Sequence, residues 1–523
     1  MYILNYKKKT LLLIIIATIV RCITACSIEL GNDEVYYRMY AQYLQWNYFD
    51  HPPLVGWLIR FTTANLYFSN ELFIRSGAFI SAAITSWFIF LSGSKLNNTY
   101  TGYLAVVIYT ATLYGSIIAG TFILPDSPQM VCWAIGIYLL IDITKYKGVN
   151  RKQKRNLLLF GLVAGIGLLC KIHTAFLWMG FLLYIVQHNR QWFKQPVLYL
   201  SGFISLLLFY PVVKWNIDNH FVTYLYHSNR VNITDSGIDI GSFLTFAGGQ
   251  IFYCNPIIFF FIVVSTVAAF KNNLPVSTTH KRLLLYCSLP LIIIATGISL
   301  FKNVLPHWTG PAFYGLALIT ACYFSRRKLT TDFEKTCMPK SLLAACGFQL
   351  LVVVAGVLLI NFMPGSLGNK KEKTKFGEGD FTLDMYGWKS FKNDFEKLAK
   401  ADLQTGTMKP DAVIISNKWF PASHIDYYAA MPIQKDLIAM GDTNDIHQYA
   451  WINNERKKMK TGDDAYCIVP SNNYIDAAAR YNGFFKTIFS PQIIEQKRSG
   501  KTCRYFYIWR MKDYILKPIP YLQ

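Results

Sequence analysis

Asp33 and Glu34 open the stretch ELGNDEVYYRMYAQYLQWNYFDHPPLVGWLIRF, which also holds Asp50 and His51 just ahead of a double proline. Asp126 stands in the tight turn LPDSP, Lys171 and His173 follow an apolar run, and His307 with Trp308 lies in VLPHWTGP. Carboxylates beside cations suit one kind of chemistry. A carboxylate removes a proton from an acceptor hydroxyl while cations, or a metal ion, neutralise the charge that develops on a phosphate leaving group. Adjacent helical residues point about 100° apart, so Asp33 and Glu34 cannot both face one reacting atom. One is then the base and the other a binder. Each group also has a plainer use: Asn32 or Asp33 as a helix cap, Asp126 as the cap of a membrane span, Lys171 snorkelling to headgroups, His307 and Trp308 as interfacial anchors.

The elements that position these groups are set by lipid. Of 523 residues 53% are hydrophobic and 16% charged, and the mean hydropathy is +0.26, which excludes a soluble enzyme of this size. About eleven apolar runs are long enough to read as spans: 10–28, 72–94, 102–123, 128–144, 157–171, 172–188, 197–214, 243–270, 283–301, 311–324 and 341–362. With a cytoplasmic N-terminus, about twenty Lys and Arg fall inside, Lys147, Arg327, Lys328 and Lys335 among them, against about eight outside. The outer eight are Arg21, Arg38, Arg60, Arg75, Lys171, Lys214, Arg230 and Lys302. The formal charge of +22 is therefore mainly an orientation signal and not a nucleic-acid patch.

An odd number of spans places the tail on the outer, periplasmic side. The domains read as a membrane part over 1–363 with a first external loop at 29–71, a Gly- and Lys-rich linker at 364–380, and an external α/β domain over 381–523. In that domain 411–416, 465–470, 484–489 and 504–510 read as strands, while Trp388, Phe391, Phe395 and Leu398 recur at helical spacing. Segments 419–430 and 474–481 also look helical. Cys467 and Cys503 lie in expected strands, either as a disulfide or as two buried thiols. Near the start, Ile23-Thr24-Ala25-Cys26 after an apolar run looks like a lipoprotein signal, but Arg21 interrupts it.

In the first loop Tyr36, Tyr40 and Tyr43 share a helical face, which predicts a helix lying at the bilayer surface. Pro52 and Pro53 break it, and a second short helix begins at Leu54. With this topology the acids, Lys171, His173, His307 and Trp308 all face one side of the membrane. Transfer from a lipid-linked phosphate fits such a station, with the tail of the donor between spans.

At these residues the chain resembles bacterial GT-C glycosyltransferases of the dolichyl-phosphate-mannose protein mannosyltransferase and aminoarabinose transferase type. NDEVYYRMYAQYLQWNYFDHPPLVGWLI is similar to the first external loop of the family, LPDSP to its Thr-Pro-Asp turn, GIGLLCK to its Gly-Leu-Leu-Ser-Lys element, and PVVKWNIDNHF to its Pro-Val-x-x-Trp-Asn stretch. FAGGQIFYCNP and VLPHWTGPA continue the order, and GWKSF and SNKWFPASHIDYY are weaker echoes in the tail. The resemblance implies an inner-membrane, multi-pass, inverting transferase that uses a polyprenyl-phosphate sugar and a lipid A, glycan or protein acceptor. It implies Asp33 as the catalytic carboxylate, with Asp126 and Glu34 in the site. Lys171, His51, Asp50, Tyr37, His307 and Trp308 are expected on the donor side. Three positions depart from the pattern: His51 stands where Lys is usual and is mostly neutral at pH 7, Leu124 replaces Thr, and Cys170 replaces Ser. The identity of any cofactor is open; a divalent metal could bridge acid and phosphate through Glu34 or Asp50 with His220 or His227.

Two other classes compete. A lipid or sugar transporter predicts ionisable groups near the midplane and broken helices in repeated halves. A membrane-anchored scaffold would need neither Asp33 nor Asp126. Most charges outside the cytoplasmic loops stand at span ends, Arg21 being the clearest exception. Gly161, Gly165 and Gly167 read as helix packing, not as a ligand loop.

Overall fold

The computed structural model describes residues 6–145, 148–234, 236–326 and 338–515. Lys147, Arg327, Lys328 and Lys335 lie outside them. The chain forms two compact units. One, the helical unit, comprises Met1–Ala25 and Leu44–Val353; the other, the sheet unit, comprises Cys26–Tyr43 and Val354–Gln523.

The chain is a polytopic membrane protein. Among the described residues seven helices are long and apolar enough to cross a bilayer: α1 (Tyr6–Ser27), α4 (Glu71–Leu96), α6 (Asp126–Thr144), α7 (Arg151–Cys170), α9 (Pro196–Asp218), α13 (Thr278–Ser299) and α15 (Lys340–Phe362). Between the first two of these lie α2 (Asn32–Gln42) and α3 (Leu54–Thr62). The expected runs all fall on helix, but four are short or broken. Run 243–270 is α11 (Ile240–Tyr253) and α12 (Pro256–Phe270), bent by 96°. Run 102–123 is α5 (Thr99–Thr110) followed by a π-helical turn, Tyr114–Ile118. Ile172–His188, which contains α8 (Ala175–His188), and α14 (Ala312–Ser325) are shorter. Hydropathy reports apolarity, not backbone continuity. At the bend Asn255 takes a φ of 65°, is fully buried, and its side-chain amide donates to the carbonyls of Ala111 and Ala345, both at 2.9 Å. Those bonds, with Pro256 behind, redirect the chain.

Small residues bring helices together as expected of a membrane bundle. Ser201 Oγ donates to the Leu157 carbonyl at 2.5 Å and Ser205 Oγ to the Gly161 carbonyl at 2.6 Å, joining α9 to α7. A Cβ at Gly161 would collide with the Ser201 carbonyl. Much of α9 and α15 stays exposed, including Phe203, Leu206, Leu207, Leu350 and Leu351, an apolar surface that suits lipid and not water.

The sheet unit carries six strands among the described residues, in the order β2 (Leu437–Ala439), β1 (Val413–Ser416), β3 (Ala465–Pro470), β6 (Lys501–Tyr514), β4 (Phe485–Ile488). β5 (Gln492–Arg498) pairs with the first half of β6. β1 is parallel to β2 and β3, and the rest is antiparallel. Helix α16 (Trp388–Gln404) buries Phe391, Phe395 and Leu398, with Phe391 stacked on Phe506 at 3.9 Å between ring centres. Segment 419–430 is α17 (Trp419–Ile425) with a π turn at Asp426–Ala430, while only Ala477–Arg480 of 474–481 is helical.

Three expectations differ from what is found here. Residues 364–380 are not a free linker: Asp380 accepts from Ser366, Leu367 and Arg498, so the segment is built into the unit. Cys467 lies opposite Trp509, six positions along β6 from Cys503; at about 3.3 Å per residue they stand roughly 20 Å apart, beyond disulfide reach. Both are buried free thiols. Finally, α2 does not present its tyrosines as a surface helix does. Tyr36 packs against Trp419 at 4.9 Å, its hydroxyl accepts from Gln448 N at 3.0 Å, and Tyr43 OH accepts from Arg456 Nε at 3.0 Å. An aromatic helical face can be satisfied by headgroups or by protein, and here protein takes it.

Candidate active site

In the helical unit the chemistry gathers around the start of α6. Pro125 sets the entry to the helix and Asp126 occupies its first turn, where the helix dipole favours an anion. α7 stops at Cys170 because Lys171 is extended, with φ −160° and ψ 133°; a short turn, Ile172–Thr174, follows. This break turns the lysine inward. Its ammonium lies 2.8 Å from Asp126 Oδ2, and Tyr114 OH donates to Oδ1 at 3.0 Å. Lys171 is 4% exposed and Asp126 1%, so neither snorkelling nor simple capping describes them.

The loop at 44–53 is held beside this pair by polar bonds. Trp215 Nε1 donates to Gln45 Oε1 at 3.1 Å, Thr223 Oγ1 to the Tyr48 carbonyl at 2.9 Å, and His227 Nε2 to the Asp50 carbonyl at 2.7 Å. Thr223 and His227 belong to α10 (Val222–Val231). The rings of His51 and His227 are 6.0 Å apart. Burial, reinforced by His227, Lys171 and Arg230, holds His51 far below the usual histidine range. Thus His51 is neutral. The permanent cations near it are Lys171, committed to Asp126, and Arg230, which sits 5.2 Å over the Trp308 ring.

Trp308 and His307 ride on the turn Pro306–Thr309. Gln250 fixes that turn from α11, donating to the Pro306 carbonyl at 2.8 Å and accepting from Thr309 Oγ1 at 2.5 Å. Trp308 also lies 5.8 Å from the His173 ring. Burial brings His307 down to about 4, with Lys171 and Arg230 adding to the effect and Asp126 opposing it.

The helical unit therefore unites Asp126, Lys171, His51, Asp50, His307 and Trp308. Sequence reasoning missed Tyr114 and gave no role to Arg230. Asp33, Glu34 and Tyr37 belong to the sheet unit. Asp33 is exposed, whereas Glu34 is buried and accepts from Gly31 N at 2.9 Å, closing the first turn of α2. The carboxylate of Glu34 is thus turned to the cap, and Gly31, not Asn32 or Asp33, holds the cap position. Tyr37 is buried beside Tyr40, with ring centres 5.3 Å apart. Three links fasten this segment to the rest of the sheet unit: Glu29 accepts from Trp388 N and Lys389 N at 2.8 and 3.1 Å, Leu30 N donates to Tyr428 OH at 2.8 Å, and His424 Nε2 donates to the Leu30 carbonyl at 3.1 Å.

For a metal ion the donor set does not fit. Among the described residues no group of three or more His, Cys, Asp or Glu is gathered to hold one, His220 is exposed, and the His227 Nε2 proton is given to a carbonyl. What the helical-unit site can do is receive an anion: one guanidinium, an ammonium poised on a carboxylate, and neutral imidazoles that donate hydrogen bonds.

The family described as dolichyl-phosphate-mannose-protein mannosyltransferase matches residues 50–215. A lipid A galacturonosyltransferase, RgtD, of Rhizobium johnstonii is 21% identical over 54% of this chain, and the match spans 58% of that relative. Crystal structures of ArnT from Cupriavidus metallidurans share the fold: the form bound to undecaprenyl phosphate superposes with a TM-score of 0.59 at 12% identity, covering 95% of this chain and 97% of that one. The apo form gives 0.60 at 11%, covering 96% and 98%. The fold expected from the order of the motifs is found, and the likeness to GT-C glycosyltransferases of the aminoarabinose transferase type is borne out. No transporter stands among these relatives.

Proposed function

We propose that this chain, a polytopic membrane protein with the GT-C fold, is a glycosyltransferase of the inner membrane that moves a sugar from a polyprenyl-phosphate carrier to an acceptor on the periplasmic side. The observation that carries the reading is the buried Asp126–Lys171 pair with Arg230, His51 and His307 around it, a construction suited to a phosphate and of no use to a passive scaffold. ArnT bound to undecaprenyl phosphate and the lipid A galacturonosyltransferase support a carrier-phosphate donor and a lipid A acceptor, respectively.

Asp33 is the base in this mechanism, since an exposed carboxylate can take the proton of an acceptor hydroxyl. Arg230 meets the phosphate oxygens through its fork of donors, and Lys171 stabilises the charge left on the departing carrier phosphate. Asp126 orients Lys171, and Tyr114 orients Asp126. The proton leaves the acceptor for Asp33, the new glycosidic bond forms as the sugar–phosphate bond breaks, and the carrier departs as its phosphate.

Mass spectrometry of envelope glycolipids and glycoproteins, from cells with the gene intact, deleted or carrying Asp33→Asn, tests this. Deletion and Asp33→Asn should remove the same glycan mass while the variant still inserts in the membrane. Normal glycan in the Asp33→Asn strain would refute the assigned base. Movement of a lipid or sugar across vesicles with no new covalent product would favour a transporter instead.

A further inference from the structure

The helix that carries Asp33 is part of the sheet unit, and the group that unit turns toward its first turn is another carboxyl. Asp384 lies in the turn Phe381–Met385. Its carbonyl accepts from Trp388 Nε1 at 3.2 Å and from His424 Nε2 at 2.9 Å. The same His424 nitrogen lies 3.1 Å from the Leu30 carbonyl, so one buried N–H ties the backbone ahead of Asp33 to the backbone of Asp384. A Cβ on Gly31 would touch Met385 at 3.7 Å, a second mark of how closely the two segments run. The Asn32 side chain donates to the Asp384 carboxyl, and Asp33 lies within its electrostatic reach.

The surroundings leave that carboxyl poised between charge states. Burial raises it to about 7, with Asp33 and Asp380 adding like-charge repulsion against the pull of Arg504 and the Asn32 bond. Arg504, whose pull opposes the burial, also donates to Gln496 Oε1 at 2.7 Å and to the carbonyls of Leu383 and Tyr386 at 3.1 and 2.6 Å. A simple cap needs no such arrangement.

We propose that Asp384 is a positioning residue for Asp33: through Asn32 it orders the first turn of α2, and its own charge sets how strongly the Asp33 carboxylate draws a proton. The inference rests on Asp33 being the base. Below neutral pH Asp384 is protonated and presents Asp33 with a dipole in place of a charge. Above it Asp384 is ionised, the two like charges repel, and taking a proton at Asp33 relieves that repulsion. Transfer should therefore quicken as pH rises through 7.

The test uses the full-length protein. Carbodiimide labelling, read by peptide mass spectrometry across pH 4 to 9, reports which carboxyls are protonated. Asp384 should lose reactivity near pH 7 in the wild type and at a lower pH in Asp33→Asn, because the coupling is mutual. In native membrane vesicles, which supply their own carrier-linked sugar, the rate of glycan transfer should rise through pH 7. Asp384→Asn should remove that step and run about tenfold slower at pH 8, and Asp384→Glu should restore it. A melting curve for each variant separates this from a folding defect. If Asp33→Asn abolishes transfer while Asp384→Asn keeps a wild-type pH profile, or if Asp33→Asn leaves the Asp384 midpoint unmoved, the inference fails and the base stands. If Asp33→Asn retains transfer, the base itself is misassigned.

Discussion

The Lys171 ammonium and the Asp126 carboxylate, 45 positions apart in sequence, meet at 2.8 Å with almost no solvent around either. A buried pair of this kind contributes little net stability, yet breaking it is costly, since the survivor is left as an uncompensated charge. Asp126→Asn and Lys171→Met should each destabilise the protein by about 3–5 kcal/mol, and the double variant by much less than the sum. Thermal unfolding in detergent of all four proteins measures this. Additive losses would mean that the pair is not coupled in the folded state.

Arg230 is the guanidinium at the phosphate end of the proposed site, stacked over Trp308 and Tyr226. Removing a charge-assisted bond to a phosphate costs about 1.5–3 kcal/mol, or roughly 10- to 100-fold in affinity. If the proposed donor site is right, Arg230→Gln should weaken binding of a polyprenyl phosphate to that degree in a fluorescence or calorimetric titration. Arg230→Lys should recover only part of it, because an ammonium lacks the planar fork.

His307 is held near pH 4 by burial and by Lys171 and Arg230. An unfolded chain takes up this proton at about pH 6.5 and the folded one resists it. Stability from this group is thus fully present above about 6.5, falls as pH drops toward 4, and falls no further below that. The melting temperature should decline across that window, and His307→Gln should flatten part of the decline. An unchanged slope would place His307 in contact with water.

Glu29 supplies the anion at the N-terminus of α16, accepting from two main-chain N–H groups. Glu29→Gln should cost about 1–2 kcal/mol and fray the first turn of that helix. Hydrogen exchange at residues 388–391 should speed up while the core strand β3 remains protected.

Much of this site is legible in the sequence because the residues that defy the charge bias are conspicuous. Of the cations placed on the outer side, Arg21, Arg38, Arg75 and Lys171 are buried. Arg75 donates to the Ala25 carbonyl at 2.8 Å and Arg21 to the Gly115 carbonyl at 3.2 Å, so these two hold backbone, while Lys171 pairs with Asp126. Arg230 gave the same signal but stands in a polar stretch without a motif. Its partners, Trp308 and His51, are remote in sequence, and only folding reveals them. Asp384 was invisible for another reason: nothing in FTLDMYG distinguishes a carboxyl near Asn32 from one in water. In the sheet unit β3 was readable because its residues are uniformly apolar, whereas β5, QIIEQKR, is a largely polar edge and β2 has only three residues. The aromatic face of α2 was visible, but rings that bury equally well in headgroups or in protein do not announce which they meet.

The sheet unit draws on two separate stretches of chain, 26–43 and 354–523, so its inheritance cannot be that of a simple appendage. Exchanging the tail between relatives becomes a two-piece graft, and a chimera given only the later piece would mate a foreign socket with its own α2. Compatibility among homologues should accordingly track matched changes at Glu29, Tyr36 and Tyr43 with those at Trp388, Gln448 and Arg456.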